Sequence, residues 1–210
     1  QKADKTEVNN ALAQKADKTE LTLKADKTEL ALLSAQLFPP VDCPTVTQLY
    51  NGDTSVRVSS PINAVNCTGL NNMFYGCSNL KMVGYVHTPN VTNMNGMFYG
   101  CSSLKTIPLL DTSSVVNMGG MFYNCSSLKT IPLLDTSKVL GMVNMFYNCS
   151  SLTTIPSLDI SGVVSMDNMF DGCGALTSVT FQCNDVRPYG SGMFNGTPIA
   201  TGNGRIYVPD

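Results

Sequence analysis

Charge, histidine and long apolar runs are all scarce in this chain. Charged residues make up 13% of its 210 residues, about half the usual ~25%. The balance of 13 basic and 15 acidic residues leaves a net charge of −2. Such a balance offers no electrostatic footprint for nucleic acid or an anionic membrane surface. No apolar stretch approaches the ~18 residues that would span a bilayer, so membrane insertion is not expected. No signal peptide is visible, and the first residues begin in mid-pattern. We therefore expect a fragment, or a protein exported by a route that leaves no signal here. A single histidine, His87, leaves no Ser-His-Asp arrangement to assemble from repeated positions. No Cys-x-x-Cys or Cys/His spacing supports a metal, and no cofactor is expected.

What is present is a period. Met-Phe pairs recur every 24 residues, at Met73-Phe74, Met97-Phe98, Met121-Phe122, Met145-Phe146, Met169-Phe170 and Met193-Phe194. Periods of ~20–50 residues mark solenoids. Such a molecule presents one surface many times over, which favours binding over catalysis. Five cysteines keep the same period, Cys77, Cys101, Cys125, Cys149 and Cys173, and Thr197 takes the sixth place. They read as small buried hydrophobes, since an odd ladder cannot pair into disulfides. Cys43, Cys67 and Cys183 lie off the ladder, and a Cys43–Cys67 bridge stays open.

The clearest repeat runs from Val115 to Leu134. Apolar residues Val115, Met118, Met121, Phe122, Cys125 and Leu128 follow helical spacing. Thr112 or Ser113 after Asp111 offers an N-cap. Leu128 to Ile131 reads as a short strand that Pro132 ends. The expected fold is therefore α/β: a solenoid of 24-residue repeats over residues 61–210, each with one short helix and one short parallel strand. Its six Met-Phe rungs span only ~24 Å at the inter-strand spacing. Arg205 to Pro209 reads as a last strand and cap.

Two segments precede the repeats. Residues 1–37 carry Lys-Ala-Asp-Lys-Thr-Glu at 2–7, 15–20 and 24–29. Their composition favours helix, and a heptad frame places Asn9, Ala16, Leu23, Leu30 and Leu37 at a and Leu12, Thr19, Asp26 and Leu33 at d, a seam that is strong only after Leu30. Asp4, Asp17 and Asp26 followed three residues later by glutamate also resemble capping boxes. A lone helix of this kind is marginal in water, so partner chains are expected, a homotrimer by our reading and a dimer otherwise. Residues 38–60 read as a linker and N-terminal cap, opening with the helix-stopping Phe38-Pro39-Pro40.

The motif Met121-Phe122-Tyr123-Asn124-Cys125-Ser126-Ser127-Leu128-Lys129-Thr130-Ile131-Pro132, followed by Asp135-Thr136-Ser137 and then Val139 and Met142, resembles the BspA-type leucine-rich repeat. The resemblance covers roughly residues 61–208. It implies a right-handed α/β leucine-rich-repeat solenoid of the kind found in surface adhesins of gut and oral bacteria and of protists. The N-terminal hexapeptides resemble the shafts of phage tail fibres, which are typically homotrimers. Together these resemblances imply a phage receptor-binding protein located in the virion, not an enzyme, whose repeats bind a bacterial surface glycan or protein. The alternative is a BspA-like adhesin on a bacterial surface that binds host or matrix proteins.

Leu104 and Ile107 are expected to face the core, leaving Lys105 and Thr106 on the surface. The equivalent places are Lys81, then Lys129 and Thr130, then Thr153 and Thr154. This ladder, together with Arg187 and Tyr189 in the divergent loop 182–191, forms the expected contact surface. These positions are otherwise merely solvated. Recurrent Asp111, Asp135 and Asp159 are expected to precede helix caps rather than to act as paired catalytic carboxylates. His87, where other repeats carry aspartate, is expected at the surface.

Overall fold

The computed structural model describes residues 40, 50, 53, 55–59, 61–183 and 190–208. The shaft expected over residues 1–37 lies outside the described residues, as do Arg187 and Tyr189.

The solenoid is present, with parallel register. Gly69, Asn93, Asn117, Gly141 and Ser165 bridge in succession, each to the residue 24 places on. Two short sheets flank this ladder. Strands β1 (Ile62–Asn63) and β2 (Val86–His87) pair in parallel. Further on, β3 (Leu158–Asp159), β4 (Ser178–Gln182) and β5 (Arg205–Tyr207) form a parallel three-stranded sheet. β5 is the closing strand that the sequence led us to expect.

The expected helix in each repeat is overturned, and the segment from Leu128 to Ile131, expected as a strand, is not one either. Among the described residues there is no helix; the segment expected to be helical is a chain of tight turns. Alternate amides serve different partners. The N–H groups of Met94, Gly96, Phe98 and Gly100 donate to carbonyls of the next rung at 2.7–2.9 Å. Those of Met97, Tyr99, Cys101 and Leu104 donate three residues back within their own rung at 2.9–3.2 Å. An α-helix would need every amide for the carbonyl four residues back.

Backbone sterics explain the choice. Gly96 and Gly100 have φ of 61° and 74°, at the third position of the turns 94–97 and 98–101. Type II turns require positive φ there. The two columns hold glycine or asparagine in all six rungs, from Asn72 and Gly76 to Gly192 and Gly196, every one with positive φ. Two left-handed residues four apart are incompatible with a right-handed helix. A graded test follows at Gly100, where an added Cβ would meet only Gly76 backbone at 3.5 Å. Gly100→Asn, the residue used at 124 and 148, should cost under about 1 kcal/mol, and Gly100→Val about 2–3 kcal/mol. Urea unfolding of the two variants checks the difference, and equal losses would refute the turn assignment.

Inside the rungs, rings stack in a column. Tyr50, Phe74, Phe98, Phe122, Phe146, Phe170 and Phe194 follow one another at centroid separations of 5.0–5.7 Å. Tyr50 thus takes a phenylalanine place ahead of the first Met-Phe pair. Val58 also bridges Met82 in parallel, and half-buried Val56 packs against the core. The methionines of the pairs are buried beside the rings.

The cysteine column is more than small apolar filling. Each thiol donates to the carbonyl of the ring residue 27 places earlier: Cys101 to Phe74, Cys125 to Phe98, Cys149 to Phe122 and Cys173 to Phe146, at 3.0–3.1 Å. Cys77 does the same to Tyr50. The ladder cysteines and Cys183 are thiols outside any disulfide, whereas Cys67 is disulfide-bonded; Cys43 lies outside the described residues.

Candidate functional site

Where the expected contact surface is described, its side chains stand in solvent. Leu104 and Ile107 are buried, and Lys105 and Thr106 between them are exposed. Lys81, Lys129, Thr130, Thr153 and Thr154 are exposed as well. Backbone hydrogen bonds run between these rungs, from Lys105 N–H to Lys81 O at 3.4 Å and from Thr153 N–H to Lys129 O at 3.1 Å. Three lysines therefore share one column at rung spacing, followed by threonines. Thr153 Oγ1 donates to Lys129 O at 3.2 Å, so part of its hydrogen-bonding capacity is used within the solenoid.

The recurrent aspartates are engaged locally. Asp111 Oδ1 accepts Ser113 N–H at 3.2 Å and Ser113 Oγ at 2.8 Å, and Asp135 does the same with Ser137. Asp159 accepts Ser161 N–H at 2.9 Å. These carboxylates close turns, and the helix caps they were expected to precede are absent, since no helix follows among the described residues. His87 departs from expectation. It is half-buried in β2 with its ring 6.4 Å from that of Tyr85. Burial lowers its pKa, opposed by the nearby Asp111 carboxylate. Burial, and then Asp111, push the Tyr85 hydroxyl up to about 12. Among the described residues no group of three or more His, Cys, Asp or Glu is placed to hold a metal ion. Nor is any helix of the described residues long and apolar enough to cross a membrane.

A surface that sequence reasoning missed lies elsewhere on the rungs. A groove of about 670 Å3 is lined by Tyr75, Tyr99 and Tyr123. These rings form a second aromatic column, continued by Tyr147, with centroids 4.4–4.7 Å apart and planes within 16°. Because the faces cover one another, solvent meets ring edges and hydroxyls. Burial and the adjacent Tyr123 and Tyr75 phenols raise the Tyr99 pKa, so its hydroxyl stays protonated at neutral pH.

Glycines open the groove. A Cβ at Gly119 would meet Asn95 Nδ2 at 2.9 Å, and one at Gly96 would strike Asn72 Oδ1. Asn95 and Asn144 also line it, and no charged residue does. The signal was available as three columns at one period: tyrosine at 75, 99, 123 and 147, with glycine or asparagine on either side. Helical spacing would also put 72, 75 and 76 on one face, so what was missed is the stacking of that face across rungs, because only the apolar columns were followed.

No curated protein and no solved structure matches this chain. Residues 68–182, more than half of the 210, match the family described as "Mycoplasma protein of unknown function, DUF285", and the chain belongs to that family.

Proposed function

We propose that this chain is the receptor-binding part of a phage tail fibre, whose repeat head attaches to a glycan or protein on a bacterial surface. The observation that carries the reading is the 24-residue register of the central rungs, which sets equivalent polar side chains in columns on a rigid support. Rigid, pre-ordered side chains lose little entropy on binding. The engaged turn carboxylates argue for recognition over hydrolysis. In this reading residues 1–37 trimerise as the shaft, and Lys81, Lys105, Thr106, Lys129, Thr130, Thr153 and Thr154 meet the receptor, with Arg187 and Tyr189 at the tip.

The family match favours a second reading. Its repeats are related to BspA-like repeats, and a bacterial surface adhesin for host or matrix proteins would use the same columns. Solution mass separates the two. Light scattering at several concentrations should give three times 22.5 kDa, persisting on dilution. A monomer would shift the assignment to the adhesin. Adsorption to a panel of gut bacterial isolates then tests the contact surface. Lys129→Ala, at an exposed site, should change stability by no more than about 0.5 kcal/mol while lowering adsorption several-fold. Undiminished adsorption in a Lys105→Ala/Lys129→Ala double variant would exclude the lysine column.

A further inference from the structure

We propose that the tyrosine-lined groove is a binding site for a neutral polysaccharide chain, running across the rungs and held through its hydroxyl groups. The inference deepens the receptor-binding reading and rests on it for the source of the polymer.

The lining decides the ligand's charge. It holds no ionised side chain, so a charged ligand would lose hydration there without a counter-charge. What it does hold are phenols and carboxamides, each able to donate and to accept. Sugar hydroxyls have the same dual capacity. The Asn95 and Asn144 amides make no side-chain hydrogen bond among the described residues. Asn117 differs, since its Oδ1 is held by Gly119 N–H at 2.9 Å.

Periodicity decides the ligand's form. The tyrosine column repeats every 4.4–4.7 Å, so a ligand reading several rungs alike must repeat at nearly that length. An extended peptide advances ~3.3 Å per residue and falls out of step. The advance of a pyranose chain per sugar depends on its linkage, and the more compact linkages come near one rung, so such a chain can keep step over the few rungs of the groove. The groove volume of about 670 Å3 lies within the ~300–1,000 Å3 typical of ligand sites. Stacked tyrosines are already ordered, so little side-chain entropy is lost when they engage.

The test uses the full chain in calorimetric titrations against size-graded oligosaccharides of a neutral glucan, galactan and mannan. Polygalacturonate and oligolysine serve as charged controls. At least one neutral series should bind, with affinity rising as the oligosaccharide lengthens. Gly141→Gln should weaken that binding tenfold or more without changing the melting temperature. A Cβ at Gly141 makes only ordinary contact, 3.5 Å to Asn117 Oδ1, and the same column carries Asn93 and Asn117. The longer side chain therefore enters the groove rather than the backbone. Tyr123→Phe keeps the ring stack and removes one hydroxyl, and should weaken binding several-fold. It decides the matter if Gly141→Gln does not fold.

The proposal is overturned if no neutral series binds, if only a charged control binds, or if the groove variants bind as the wild type does. Cell adsorption distinguishes its failure from that of the broader reading. Equal adsorption by wild type and Gly141→Gln would leave receptor binding standing without the groove. Groove-dependent sugar binding with no adsorption to any isolate would leave the groove and remove the tail-fibre assignment.

Discussion

Phe122→Ala should lower the free energy of unfolding by about 3–5 kcal/mol, the range for truncating a fully buried aromatic ring. Phe122 has no exposed surface and stacks between Phe98 at 5.6 Å and Phe146 at 5.3 Å. Removing it breaks two ring contacts at once. In a solenoid each rung contacts only its neighbours, and stability is a sum of rung and interface terms. A hole at the middle rung therefore uncouples the halves as well as weakening one layer. Urea unfolding followed by circular dichroism should show a lower midpoint and a shallower transition. An unchanged, cooperative transition would refute the stacked-ring core.

The second large effect is alkaline unfolding. Burial pushes the Cys101, Cys125 and Cys149 thiols well above the ordinary value of 9.0, helped by neighbouring thiols, and raises Cys173 to about 12. In the unfolded chain these thiols ionise near 9, while in the fold they stay protonated and donate to carbonyls. Above pH 9 the unfolded state therefore binds fewer protons than the native state, and stability falls as pH rises. Below pH 9 the contribution is fully present. Each retained proton is worth about 1.4 kcal/mol per pH unit, so four thiols give a slope on the order of 5 kcal/mol per unit. Against a typical total of roughly 5–15 kcal/mol, unfolding should be complete within a few units above 9. Circular dichroism across pH 8–12 measures the slope. Cys149→Thr copies the residue that the sixth rung already uses at the buried position Thr197. That variant should remove about one quarter of the slope. A flat profile to pH 11 would show that the thiols ionise in the fold.

The sequence made the period, the register and most of the core legible, because each rests on a residue type repeated at one spacing. Met-Phe, Cys and Leu columns identified the buried layer correctly, and the exposed pair Lys105-Thr106 followed from buried Leu104 and Ile107. Local conformation was not legible from apolar spacing alone. Steps of 3, 3, 1, 3 and 3 arise on a helix and also in turns that each return the chain toward one core. Asn124 and Asn148 distinguish the two, because in company with Gly76, Gly100, Gly172 and Gly196 they form a column that a left-handed backbone selects. The groove was missed because the tyrosine column was not followed from rung to rung. Tyr99 reads as one residue of a repeat motif until the turns set it beside Tyr75 and Tyr123.

The 24-residue register of the central rungs has an evolutionary consequence. Rungs centred on Met97, Met121 and Met145 bond to their neighbours through the same atoms, so an inserted copy of residues 115–138 would find matching carbonyls above and below. Unequal recombination between such similar coding segments could lengthen or shorten the molecule by whole units without disturbing either terminus. Each unit would add one more tyrosine to the column. Reach along a polymer would then change in fixed increments of one storey, a coarse dial that gene duplication can turn in a single event.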